Sequence, residues 1–180
     1  PLSGWKVFNI VITKDNDATD VVAGKSLSHE EVYSNFDHIH EMPQKLIEIG
    51  QNWKVWVLCD RAPTEDWIDG RAVLLGDAAH PTLQYYAQGA CMALEDAVCL
   101  SEIIGNHPDN LDAALTRYRD TRLVRTARIQ IGSRQLGDNW FHVDGVHRKL
   151  RNDIMGNMSA EDYYNQLGWL YGHKASEIAA

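Results

Sequence analysis

The run Gly76-Asp77-Ala78-Ala79-His80-Pro81 follows the apolar stretch Ala72-Val73-Leu74-Leu75 and precedes a Gln88-Gly89-Ala90 that opens a helix. No other feature constrains the fold as much. A buried strand has to deliver a glycine and an acid to a loop, and a glycine-led helix has to start about ten residues later. One short segment then offers a carboxylate for hydroxyl groups and unpaired backbone N–H groups for negative charge.

The flanking sequence predicts strands packed with helices, followed by a helical tail. Trp5 to Ile12 reads as a strand with Phe8, Ile10 and Ile12 on one side, ending in the polar turn cluster Lys14-Asp15-Asn16-Asp17. A strand or loop is expected around residues 20–24. Ser28-His29-Glu30-Glu31 has the form of a capping box and predicts a helix over 29–38. A second helix is expected to start with Pro43 as its first residue and to stop at Gly50. Trp53 to Cys59 reads as a strand, and Asp69-Gly70 as a tight turn into a buried strand from Arg71 to Leu75.

From Gly89 to Ile104 the periodicity predicts a central helix, with Ala93, Ala97, Leu100 and Ile104 on one face, Leu94 and Val98 beside them, and Gly105 and Pro108 ending it. Asp109 or Asn110 caps a long helix with Leu111, Ala114, Leu115 and Tyr118 on one face, continuing toward Trp140. Shorter helices are expected near 144–155 and after Ser159. Three regions result: 1–60 with strands and two helices, 61–105 with the Gly-Asp segment, and 106–180 as a helical C-terminal region.

A net charge of -8 with 44% hydrophobic and 23% charged residues fits a globular chain and argues against a nucleic-acid or anionic-membrane partner. No apolar run approaches the roughly 20 residues of a membrane span, and residues 1–5 lack a signal-peptide pattern, so a cytoplasmic location is expected. Cys59, Cys91 and Cys99 read as packing thiols. None of the thirteen glycines forms a Gly-x-Gly, so the phosphate-cradling dinucleotide fingerprint is absent. With no starting methionine, the chain reads as one entered in mid-domain.

Taken together, Gly70-Arg71-Ala72-Val73-Leu74-Leu75-Gly76-Asp77-Ala78-Ala79-His80-Pro81, Gln88-Gly89-Ala90 and Leu94-Glu95-Asp96-Ala97 resemble the FAD-dependent aromatic hydroxylases, the single-component flavoprotein monooxygenases. The match is strong over about residues 53–125, looser before and weak in the tail. It implies an α+β fold, here a C-terminal fragment: part of the substrate-domain sheet, the Gly-Asp flavin segment and a helical tail. The stretch Leu83 to Ala93 is most like the branch that acts on 3-hydroxybenzoate. The resemblance therefore implies hydroxylation of a small phenolic acid by dioxygen, with FAD as cofactor, NADH as electron donor and gentisate as product.

It also implies roles for particular residues. Gly76 and Asp77 are cofactor-binding, with Asp77 accepting hydrogen bonds from the ribityl hydroxyls; the alternative is that Asp77 caps a turn. The N–H groups of Ala90 and Cys91, behind Gly89, approach the pyrimidine edge of the flavin, where the helix dipole stabilises charge. Gln84 stands where many relatives carry proline and is assigned to catalysis and substrate orientation, the alternative being a loop glutamine. Tyr86 is assigned to the substrate wall, with Tyr85 beside it or packing. His80 reads as structural, and the catalytic base is expected outside this chain.

Other readings compete. The fragment could be a catalytically silent domain or binding module. A metal-dependent hydrolase using Asp77, His80 and the pair His38 and His40 is a third, weakened because i and i+2 side chains diverge on a helix. Arg117, Arg119, Arg122, Arg125, Arg128 and Arg134 read as a solvated stripe paired with acids, and Glu95 and Asp96 as residues answering the helix dipole. The tail aromatics Trp140, Tyr163, Tyr164 and Trp169 suggest packing or a homodimer contact.

Overall fold

The computed structural model describes residues 2–16 and 18–175, so Asp17 of the polar turn cluster lies outside the described residues. The chain divides into two compact units, one up to Leu58 and one from Cys59 onward. Segments 61–105 and 106–180 thus fall in the same unit.

In the first unit, β1 (Ala23–Ser26) pairs antiparallel with β2 (Lys54–Trp56), and α1 (His29–Asn35) and α2 (Glu41–Ile49) lie between them in sequence. The strand pair slips at Gly24, whose φ of +71° suits a bulge and brings it against the Trp56 ring. Ser28 and Glu31 form the expected capping box of α1. The two helices pack through buried Val32 and Ile47, and His29 Nε2 lies 3.2 Å from the Ile47 carbonyl oxygen.

Two expectations fail here. Trp5 to Ile12 is not a strand: its backbone makes an isolated bridge between Leu2 and Val7, and Val7, Phe8 and Val11 are exposed. Alternating apolar residues specify a strand only when a partner strand buries one face, and among the described residues of this unit these have none. Proline is also not the first residue of α2. His40 caps that helix by accepting the Met42 N–H, which puts Pro43 third, still within the first turn where its missing N–H costs nothing.

The second unit opens with a two-residue hairpin, β3 (Ile68–Asp69) and β4 (Ala72–Val73), turning at Gly70 with φ +56°. The strand before the Gly-Asp loop is therefore shorter and wetter than expected, with Arg71, Ala72 and Leu75 exposed. A 3-10 turn, Gly76–Ala78, and a second, Gln84–Tyr86, lead into α3 (Gly89–Asn106). α4 (Leu111–Leu136) runs back antiparallel along it, since Met92 clusters with Ile129 while Ile103 clusters with Ala114. A π-helical turn, Gly137–Phe141, α5 (Gly145–Asn157) and α6 (Ala160–Tyr171) complete the unit.

The buried face of α3 is Met92, Asp96, Cys99 and Ile103, displaced from the expected stripe; Ala97, Leu94 and Val98 are exposed, and Gly105 lies inside the helix. Apolar residues cover so much of α3 that periodicity could not select among faces, and the buried arginine of α4 decides it. One core cluster joins Trp67, Ala79, Cys99, Ile103, Ala114 and Tyr118; a second joins Met92, Ile129 and Leu170. Of the three thiols, Cys99 packs in this core whereas Cys59 and Cys91 are exposed. Among the described residues no helix is long and apolar enough to cross a membrane.

Candidate functional site

The Gly-Asp loop is built on a glycine with no substitute. Gly76 is buried at φ +60°, and an added Cβ would stand 3.2 Å from the Ala93 Cβ of α3. Its N–H donates to Asp96 Oδ2 at 3.0 Å. The backbone then tightens, with Ala79 N–H and His80 N–H both donating to the Gly76 carbonyl at 2.9 Å. Asp77 is turned outward, and among the described residues neither of its oxygens is engaged by a hydrogen bond or ion pair.

Twelve residues later α3 begins, and its start lies beside that acid: a Cβ on Gly89 would be 3.9 Å from Asp77 Oδ1 and 3.8 Å from Thr82 Cγ2. α1, α2, α4 and α6 are capped by the side chains of Ser28, His40, Asn110 and Ser159, whereas Gln88 before α3, like Asp144 before α5, provides no such cap. The first bond of that helix is Met92 N–H to the Gln88 carbonyl. The N–H groups of Gly89, Ala90 and Cys91 precede it and have no acceptor among the described residues, with Ala90 and Cys91 exposed. Gly76, Asp77, Gly89, Ala90 and Cys91 are thus assembled in one place, an outward carboxylate beside an uncapped helix start.

Gln84 is half-buried in the second 3-10 turn, and its side-chain amide makes no hydrogen bond among the described residues. The tyrosines after it pack against α4 and its π-helical end. Tyr86 packs on Gly132, stands edge-on to Trp169 at 5.9 Å and belongs to the Met92 cluster; burial raises its phenol above the ordinary range, opposed by Arg128. Tyr85 packs on Gly137, with its hydroxyl 2.7 Å from His142 Nε2.

What sequence reasoning missed lies beneath the loop. Asp96 is fully buried, with Oδ2 accepting from Gly76 N–H and from His80 Nε2 at 2.6 Å, and Oδ1 accepting from Arg122 Nε at 2.7 Å. Arg122 also reaches Glu95 at 2.7 Å, and Arg125 grips Glu95 through two nitrogens while donating to the Trp169 and Leu170 carbonyls. Burial would raise the Asp96 carboxyl, but the bonds from His80, Arg122 and Gly76 together hold it below the usual carboxylate range. Glu95 behaves likewise, burial being outweighed by Arg125 and Arg122.

Two expectations are corrected here. Arg122 is not solvated, and Glu95 and Asp96 are not merely dipole residues. The signal was a spacing: Ala114, Tyr118, Arg122, Thr126 and Gln130 recur every four residues, so the apolar stripe continues as a polar one that is equally buried. That same face secures the loop. Gln130 Nε2 donates to the Arg61 and Pro81 carbonyls, Ser133 Oγ to the Leu83 carbonyl at 2.8 Å, and Arg61 to the Ala78 and Ala79 carbonyls. His80, held by Asp96 at 1% exposure, is not placed to bind a metal from solvent. Among the described residues no group of three or more His, Cys, Asp or Glu side chains could hold a metal ion.

No family model matches the chain. It is 46% identical over 177 residues to 3-hydroxybenzoate 6-hydroxylase 1 of Aquipseudomonas alcaligenes, covering 98% of this chain and 45% of that protein. A second such protein of that organism, 3-hydroxybenzoate 6-hydroxylase 2, is 43% identical over 172 residues, covering 96% of this chain and 53% of the other. Over this segment the chain belongs to the FAD-dependent aromatic hydroxylase family. The fold agrees: the crystal structure of Klebsiella pneumoniae HpxO complexed with FAD and uric acid superposes with a TM-score of 0.69 at 25% identity, over 77% of this chain and 36% of that one. The chain spans about half the length of the curated hydroxylases it matches.

Proposed function

We propose that the protein containing this segment is an FAD-dependent monooxygenase that hydroxylates a phenolic aromatic acid, with 3-hydroxybenzoate as substrate and gentisate as product. NADH supplies two electrons; one atom of dioxygen enters the ring and the other leaves as water. The observation that carries this reading is the unengaged Asp77 carboxylate beside the uncapped start of α3. An acceptor-only group next to orphan donors suits a ligand that has hydroxyls at one end and gathers negative charge at the other, as FAD does. The kinship to 3-hydroxybenzoate hydroxylases supports the substrate.

On this reading Asp77 accepts the ribityl hydroxyls, and the N–H groups of Ala90 and Cys91 hold the pyrimidine edge, Gly89 leaving room for the ring. The bound flavin would supply electron transfer and oxygen activation, which no side chain here can perform. Gln84 donates or accepts a hydrogen bond to orient the phenol or its carboxylate. Tyr86 supports that wall from behind through Gly132. The dinucleotide fingerprint and the base that activates the phenol belong to polypeptide outside this chain.

Asp77→Ala in the full-length protein tests the assignment. A carboxylate accepting from hydroxyls contributes about 1.5–3 kcal/mol, so FAD affinity should fall roughly ten- to a hundredfold by equilibrium titration. Unchanged affinity removes Asp77 from the site.

A further inference from the structure

We propose, resting on the reading of Gln84 as the amide that orients substrate, that Tyr85 and His142 are a positioning pair that fixes the Gln84 turn from the π-helical end of α4. The 3-10 turn Gln84–Tyr86 holds itself together by one bond, Ala87 N–H to the Gln84 carbonyl at 2.8 Å. Its placement comes from α4. Ser133 ties down the carbonyl just before Gln84, and the two adjacent tyrosines straddle the helix on two glycines five residues apart. A Cβ on Gly132 would come within 2.8 Å of the Tyr86 ring, and one on Gly137 within 2.7 Å of the Tyr85 ring. Neither side chain could seat on anything larger.

Tyr85 differs from Tyr86 in having a directional bond at its tip. Its hydroxyl meets His142 Nε2 at 2.7 Å, and its ring lies 5.1 Å from that of Phe141. Both partners are delivered by the π-helical turn, which closes with His142 N–H donating to the Gly137 carbonyl at 3.0 Å. One residue of α-helical advance rotates a side chain by about 100°, so the extra residue of a π turn decides whether His142 faces Tyr85 at all. A phenylalanine could fill the Gly137 seat; the hydroxyl adds a fixed direction to the residue that follows Gln84. Tyr85 and His142 act through Gln84 and touch no reacting atom.

The test uses the full-length flavoenzyme and two readouts, product formed per NADH consumed and amide exchange of Ala87 N–H. Tyr85→Phe and His142→Ala should each lower product per NADH about two- to tenfold, the span of one lost neutral hydrogen bond, with FAD content unchanged. Exchange at Ala87 should rise by a similar factor while Met92 N–H, inside α3, stays protected. His142→Gln, which keeps a polar tip, should recover part of the loss. Adding Tyr85→Phe to Gln84→Ala should cost nothing further, because the residue being positioned is already gone.

Wild-type coupling and exchange in Tyr85→Phe overturn the proposal, as does a further loss in the double variant. If Gln84→Ala itself couples normally, the assignment of Gln84 falls, and faster Ala87 exchange in Tyr85→Phe would then show only that the pair stiffens the turn, which also overturns a role in catalysis.

Discussion

Asp77 and Asp96 serve the same loop and the same helix start, yet their surroundings are opposite. Asp96 is sealed from water, its two oxygens bonded to three groups from the loop and from α4, whereas Asp77 faces solvent with neither oxygen engaged among the described residues. The difference separates a carboxylate of the scaffold from the one proposed to meet a ligand. A buried carboxylate persists only if saturated, and in saturating it the fold locks Gly76, His80 and Arg122 into one geometry. That geometry holds Asp77 and the α3 donors out toward solvent, where a ligand can satisfy them.

The contrast breaks most visibly at Asp96. Asp96→Ala leaves the buried Arg122 with Glu95 as its remaining acidic partner among the described residues, and the expected loss of stability is about 3–5 kcal/mol by chemical denaturation. The counterpart Asp77→Ala should cost less than about 0.5 kcal/mol, since it removes no contact within the fold. Acid should act as a graded version of the same change. Because Asp96 and Glu95 are held below their ordinary range in the folded state, each adds stability above the unfolded carboxylate pKa and loses it as pH falls through the folded one. Denaturation midpoints should drop below about pH 4, and less steeply in Asp96→Ala.

Gly76→Ala sharpens the comparison from the backbone side. The substitution forces a side chain into φ +60° and sets its methyl 3.2 Å from Ala93, so roughly 1–2 kcal/mol should be lost together with the Asp96 bond to its N–H. A variant as stable as the parent by thermal melting would mean that α3 yields, and that Asp96 does not fix the loop.

The sequence was most legible where local chemistry decides the outcome. The capping box at Ser28, the turn at Gly70, the long helix after Asn110 and the Gly76-to-Gly89 spacing were all readable because each depends on residues close together in the chain. It misled where burial depends on distant partners. Trp5 to Ile12 has a strand's pattern without a partner within its unit, and α3 could turn any of several apolar faces inward. The Asp96–Arg122 pair was hidden for a related reason: a charged residue signals exposure until a partner 26 positions away is known to neutralise it. The open side of the site needed only a motif; its support needed the fold.

The smallest expected effect lies at the join between the two. Ala87 links the Gln84 turn to α3 in the left-handed conformation, φ +53° and ψ +36°, with its methyl exposed. An alanine pays about 1–2 kcal/mol for that geometry, and glycine would escape the strain but return about 0.4–1 kcal/mol through its freer unfolded chain. Ala87→Gly should therefore stabilise the full-length protein by about 0.5–1 kcal/mol in denaturant titrations, since no packing is lost and the N–H to Gln84 remains. A gain of that size means the methyl serves to stiffen the link at the expense of stability, and amide exchange at Ala87 should then quicken in the more stable variant. A loss instead would mean that the join, like Asp96, is already optimised for the fold, and that the line between scaffold and site runs closer to Gly89 than to Gln84.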